Sequence, residues 1–157
     1  MKTIIAIAVV FCVVTACNVG VKKDLISGLS VSNNGFSYDE AMLVDNENQP
    51  TKSNEVELNK TIAIVVTGIR NFTEKDGLVF PNLSMVVVDK ADTVVLEGND
   101  ILSEQNGFSP ADASTLSGTI TAGSPMKAGE SYHALMTIVD KLNPENRIEV
   151  NVDIVVK

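Results

Sequence analysis

The chain has 157 residues, with 20 acidic against 12 basic side chains, a formal net charge of −8 and an isoelectric point near 4.5. That length suits one domain with a self-sufficient core and would cramp two. A surface this acidic repels phosphate backbones and anionic headgroups, which argues against nucleic acid as a partner.

Lys2 precedes an apolar run that is unbroken from Ile4 to Val14. As a helix rising about 1.5 Å per residue the run reaches about 16 Å, roughly half the hydrocarbon core of a bilayer, so it is too short to span one. A basic start, an apolar stretch and the small residues Thr15 and Ala16 predict a secretory signal peptide over residues 1–16. The sequence Val14-Thr15-Ala16-Cys17 resembles the lipobox of bacterial lipoproteins. The resemblance implies cleavage between Ala16 and Cys17, diacylglycerol on the Cys17 sulfur and usually acylation of the new α-amine. A thiolate is the strongest side-chain nucleophile near neutral pH, which is why cysteine serves there. Two or three chains at about 0.8 kcal/mol per buried methylene hold a protein far more firmly than one. The alternatives are a plain secreted protein that happens to start at cysteine, and a buried core strand made of residues 1–17.

Cys12 falls in the removed segment, so Cys17 has no partner within the processed chain and the fold must hold without a disulfide. Removal of Lys2 makes the chain one charge more negative. Residues 17–24 lack periodicity and are expected as a lipidated tether, with Lys22-Lys23 either against headgroups or solvated. Under the same resemblance, Asn18 lacks the aspartate that in some bacteria accompanies retention at the inner membrane, which favours the outer one.

Residues 25–157 are expected to form a single domain. Strands are predicted at 25–32, 39–44, 61–69, 83–89 and 93–97. The pair flanking Asp89-Lys90-Ala91-Asp92 reads as a hairpin, because β-branched Val86 to Val88 and Thr93 to Val95 meet across a polar turn. Between 98 and 116 there is one helical turn, with Ser109 as N-cap, Pro110 at the first helical position and Asp112 completing a capping pattern. Leu116 to Thr121 forms another strand. The clearest signal is the last one: Tyr132, Ala134, Met136 and Ile138, then Ile148, Val150, Val152, Ile154 and Val156, alternate with mostly polar residues. Period-two alternation means one buried face and one wet face, and the turn formers from Asp140 to Asn146 make this an antiparallel hairpin.

About seven or eight short strands with turns between them predict an all-β antiparallel sandwich, with a small closed barrel as the alternative. The segment from Ala128-Gly129-Glu130-Ser131-Tyr132 to Ile148-Glu149-Val150 resembles the last two strands of bacterial immunoglobulin-like modules. That resemblance implies a corner hydrogen bond from Tyr132; a partly buried strand tyrosine is the plainer reading. The cysteine pair and central tryptophan of antibody-type domains are absent, so disulfide-pinned packing does not carry over. The whole is similar to the small lipoproteins with an immunoglobulin-like body that Gram-negative bacteria encode in quantity, a grouping with no shared activity.

Catalytic residues are not identified. His133 is the one histidine, expected solvated on a strand's outer face, and no serine sits in a nucleophile motif. Paired carboxylates could run glycoside chemistry, but the aromatic platforms that grip sugars are missing, and Phe36, Phe72, Phe80 and Phe108 are expected to plug the sandwich ends. Zinc lacks ligands. Calcium is conceivable at Asp45-Asn46-Glu47-Asn48 or Asn99-Asp100, although Asn48, Gln49 and Pro50 break the EF-hand pattern and a solvated loop is the better account. No cofactor is expected.

These readings combine into a non-enzymatic lipoprotein of the bacterial envelope, held through lipid on Cys17 and binding another envelope protein or serving as an accessory subunit. Loops 45–55 and 98–115 are its expected contact surfaces. The alternatives are weak polar recognition of a small molecule or glycan, and a fimbrial or adhesin subunit that donates its C-terminal strand.

Overall fold

The computed structural model describes residues 19–24 and 27–157. Eleven strands succeed one another: β1 (Val19–Lys23), β2 (Ser30–Asn34), β3 (Glu40–Val44), β4 (Pro50–Thr51), β5 (Glu55–Val56), β6 (Thr61–Thr67), β7 (Pro81–Val88), β8 (Val94–Gly98), β9 (Thr115–Thr121), β10 (Ser131–Asp140) and β11 (Arg147–Val156). They form two facing sheets. The wider runs β1-β2-β11-β10-β7-β8, with β5 added parallel to the end of β11; the narrower runs β4-β3-β6-β9. Every other pairing is antiparallel. Among the described residues both sheets end in free edges, so the architecture is a β-sandwich and not a barrel.

The alternation that predicted β10 and β11 is the alternation that fills the core. Tyr132, Ala134, Met136 and Ile138 of β10 and Ile148, Val150, Val152, Ile154 and Val156 of β11 are buried. Their neighbours Leu83, Met85 and Val87 of β7 extend the same face, and Leu43, Ile62, Ile64, Val66, Leu116 and Ile120 meet it from the narrower sheet. Burial of one such side chain contributes about 1.5–3 kcal/mol. Gly118, an inward position of β9, would drive a Cβ into the Met85 methyl and against the Met136 sulfur, so the missing side chain lets the sheets close there. At one end the rings of Phe36 and Phe72 meet edge-on at 4.6 Å between centroids.

The predicted strands 39–44, 61–69, 83–89, 93–97 and 116–121 appear with boundaries shifted by at most two residues, and three strands were not foreseen. β4 and β5 are two residues each, too short to show a period. β1 lies where a structureless tether was expected: it pairs with β2 from Val19↔Asn34 to Lys23↔Ser30. Its described side chains beyond Gly20 are all exposed, so no alternation marks it. Of the strand expected at 25–32, the described part starts at Ser30, after a turn at Ser27. There Gly28 takes φ +71°, the Asp24 N–H reaches the Leu29 carbonyl at 2.8 Å and Ser27 Oγ donates to Asp24 Oδ2 at 3.0 Å. The helical turn expected after Ser109 starts two residues later: the short 3₁₀ turn is Asp112–Ser114 with Ala111 as its N-cap, although Ser109 Oγ does accept the Asp112 N–H at 3.1 Å.

Strand direction sorts the loops into two ends. Val19 stands beside Asn34, which stands beside Arg147 and thence Val139, so β1 starts at the end that holds the β10–β11 turn. The segments 35–39, 68–80 and 141–146 share that end, joined by Asn146 Nδ2 donating to the Asn71 carbonyl and by the Ser37↔Arg70 bridge. The opposite end holds 45–49, 57–60, 89–93 and 122–130, tied together by Leu58 N–H to Lys157 carbonyl, Asn59 N–H to Ala122 carbonyl and Lys90 to Glu130.

Candidate functional site

Ala16 and Cys17, the expected cleavage and lipidation residues, lie outside the described residues. The two loops expected as contact surfaces are described, and the fold does not bring them together. Loop 45–55 lies at the end opposite the start of β1. Loop 98–115 runs instead along the side between β8 and β9, where Ile101 N–H bonds the Leu83 carbonyl and Val79 bridges Phe108.

Loop 45–55 is shaped by its first carboxylate. Asp45 Oδ1 accepts the N–H groups of Glu47 at 2.8 Å and Gln49 at 2.9 Å, and Asn48 takes φ 59°. The β7–β8 turn repeats this construction: Asp89 Oδ1 accepts Ala91 N–H at 2.8 Å and Thr93 N–H at 2.9 Å, with Asp92 at φ 59°. An aspartate that bonds its own backbone two and four residues on fixes a short hairpin turn. The Thr93 and then the Ala91 amide hold the Asp89 carboxyl below its ordinary range. One carboxylate oxygen of Asp45 in loop 45–55 is thus engaged by the turn. Asp100 faces Lys141 at 2.8 Å, and among the described residues no three His, Cys, Asp or Glu side chains gather as metal ligands.

His133 is half-exposed on the outer face of β10, its Nδ1 at 2.8 Å from Asp153 Oδ1 directly across on β11. A carboxylate beside an imidazole is two-thirds of a hydrolytic triad, yet no hydroxyl among the described residues hydrogen-bonds this ring. Tyr132 is a buried strand residue whose hydroxyl accepts the Lys127 N–H, five residues upstream, at 2.8 Å.

Sequence reading missed Asp140. It is 0% exposed and joins two loops, Oδ2 accepting Thr73 N–H at 2.7 Å and Oδ1 accepting Leu142 N–H at 2.9 Å. The available signal was an aspartate two residues before Leu142 in a turn-rich stretch, the same pattern that Asp45 and Asp89 carry. At that end Arg70 Nη2 meets Asp39 Oδ1 at 2.7 Å; this hydrogen bond, and with it the cation's charge, lowers the pKa of the exposed Asp39 and raises that of Arg70.

Several clefts flank these features. One of about 440 Å³ lies between the β7–β8 turn and residues 125–132, with Lys90, Val95, Lys127 and Tyr132 on its walls. A second, of about 360 Å³, lies beside the first half of β9, lined by Leu102, Phe108, Asp112 and Leu116. A third, of about 230 Å³, separates β1 and β2 from β3. There Lys22 Nζ sits 5.2 Å from the Tyr38 ring centroid, and burial raises the pKa of the Tyr38 hydroxyl. No helix among the described residues is long and apolar enough to cross a membrane.

No family model matches the chain, and no curated protein does. Among solved structures it is similar to the PmoD soluble domain from Methylocystis sp. ATCC 49242 (Rockwell), at 8% identity and a TM-score of 0.41, over 87% of this chain and 96% of that one.

Proposed function

We propose that this protein is a lipid-anchored, non-enzymatic lipoprotein of the bacterial envelope that binds another envelope protein. Its contact surface is the loop cluster 45–49, 57–60, 89–93 and 122–130. The observation that carries this reading is the placement of β1. It begins at Val19, two residues after Cys17, and joins the sheet at the end away from that cluster. An anchor at Cys17 therefore leaves those loops as the part of the domain farthest from the lipid, held in shape by the Asp45 and Asp89 turns. Function on β-sandwich scaffolds concentrates in such end loops. The immunoglobulin-like resemblance is compatible with the sandwich and with the Tyr132 contact, and it enters here as part of the proposal.

The test has two arms. Metabolic labelling with a radioactive fatty acid should mark the wild type and not Cys17→Ser; equal labelling of both, or of neither, removes the anchor. Crosslinking mass spectrometry on intact cells should give partner peptides joined to Lys52, Lys60, Lys90 or Lys127, and deletion of 46–48 should weaken them; links confined to Lys22 and Lys75 would overturn the assigned surface.

A second reading, polar recognition of a small molecule or glycan, is favoured by the cleft of about 440 Å³ beside Lys90, Lys127 and Tyr132. A glycan array and a thermal-shift screen separate the two, since only this reading gives a hit without protein.

A further inference from the structure

Two sheets leave four terminal strands, and three of them carry features that discourage pairing with another chain. β1 bears Lys22 and Lys23, β4 is two residues long and starts with Pro50, and β8 contains a register break against Val87/Val88 and an exposed Glu97. β9 carries none of these. Its seven residues, Thr-Leu-Ser-Gly-Thr-Ile-Thr, include no charge, no proline and no register break against β6.

The direction of its hydrogen bonds follows from the register. Residue sums are constant from Thr61↔Thr121 to Thr67↔Thr115, and the Ala122 N–H bonds the Lys60 carbonyl at 2.9 Å. Alternate residues of an antiparallel pair bond the same neighbour. Leu116, Gly118 and Ile120 thus point their main-chain groups at β6, while Thr115, Ser117, Thr119 and Thr121 point theirs outward, with no strand beside them among the described residues.

We propose that β9 accepts one extended segment of another protein as a fifth strand of the narrower sheet. The proposal deepens the protein-binding reading above and rests on it for the existence of a partner. The occupant is a single strand because the sheets differ in width. Gly118 lies over Met85 of β7 and Met136 of β10, so β8 projects beyond β9 as a shelf. A second copy of this sandwich brought edge to edge would drive its own wide sheet into that shelf. One strand laid along β9 would pass loop 98–115 and lie over the cleft of about 360 Å³ at Leu102, Phe108 and Leu116. Those walls call for apolar side chains at alternate positions on the inner face. The net charge of −8, with Asp112 in the cleft beside β9, calls for basic rather than acidic flanks. Main-chain bonds supply affinity in this mode and side-chain pockets supply selectivity, so a generic peptide suffices to test it.

The experiment uses residues 18–157, which contain every strand and the whole described core, and a blocked peptide of about eight residues that alternates valine and threonine between terminal lysines. Titration at millimolar peptide should slow amide exchange at Ser117 and Thr119 by about tenfold or more and leave Gly118 and Ile120 unchanged. Ser117→Pro removes an outward N–H that no strand uses, and should weaken binding by up to about tenfold with the fold intact. Exchange that slows elsewhere, slows at odd and even positions alike, or does not change overturns the proposal. Should Ser117→Pro fail to fold, the alternating pattern in the wild type decides alone. Partner crosslinks in cells that survive a failed titration would sink the β9 assignment only, whereas loss of both would sink the protein-binding reading with it.

Discussion

The β10–β11 hairpin and β1 belong to one sheet and differ in almost every respect that sequence can record. The hairpin buries every second residue from Tyr132 to Asp140 and from Ile148 to Val156, whereas Val21, Lys22 and Lys23 are all exposed. The cause is the width of the opposite sheet. Four strands cannot cover six, so the narrower sheet shields the centre of the wider one and leaves β1 at the rim. Period-two alternation is a signature of burial on one face, and a strand with neither face covered does not carry it.

The largest effect should come from the covered centre. Ile138 is 0% exposed between Leu83 and Ile148, so Ile138→Ala should lower unfolding free energy by about 2–5 kcal/mol in a urea titration, with little change in slope. A loss below about 1 kcal/mol would mean that the hairpin is not the core. Asp140→Ala should follow at about 1–3 kcal/mol, because it leaves the Thr73 and Leu142 amides without their acceptor. Near-neutrality would mean that water replaces the carboxylate, and that the two loops need no buried tie. Tyr132→Phe, which removes one hydrogen bond from Lys127 and keeps the ring, should cost about 1 kcal/mol.

What was legible divides along the same line. The hairpins at 81–98 and 131–156 were readable because strand and turn chemistry agreed: a β-branched run ended at Asp89 and an alternating one at Asp140, and each aspartate ends its strand by bonding the backbone ahead of it. β1, β4 and β5 were not readable, being exposed or two residues long. Loops 45–55 and 98–115 could each be picked out as polar and turn-rich. Their separation in space depends on strand order across both sheets, and nothing local in either loop encodes that. The outward edge of β9 is similarly a fact of sheet order, since Thr115 to Thr121 reads as an ordinary half-buried strand.

Turn carboxylates give a smaller effect that appears only in acid. Asp89 has its folded pKa depressed by the Thr93 and Ala91 amides, below an ordinary value of 3.8. A depressed carboxyl contributes stability that is present above the unfolded pKa and is lost as pH falls through the folded one. The window therefore lies below about pH 4. Asp89→Asn keeps an acceptor for both amides and removes the titration, so its stability should fall less than the wild type's on acidification, with neutral stability nearly unchanged. Parallel acid profiles for the two proteins would show that Asp89 is not stabilised as an anion by its turn.

The smallest effect should come from the rim. Val21 is 72% exposed and the Lys22 stem lies over Tyr38 at the surface, so β1 attaches to β2 through main-chain bonds with little apolar burial. Val21→Thr keeps β-branching and gives up only partial burial, and should shift stability by less than about 0.5 kcal/mol. The same substitution at Val150, three ladder positions into the core side of β11, is 0% exposed in the wild type and should cost well over about 1 kcal/mol. If Val21→Thr proved as costly as Val150→Thr, something covers β1 that the two sheets do not supply. A strand so weakly coupled to the core is nonetheless fixed in direction by five register pairs with β2. Under the anchor reading, that direction is what β1 contributes: it sets the end of the sandwich at which Cys17 is tethered, at almost no expense in core residues.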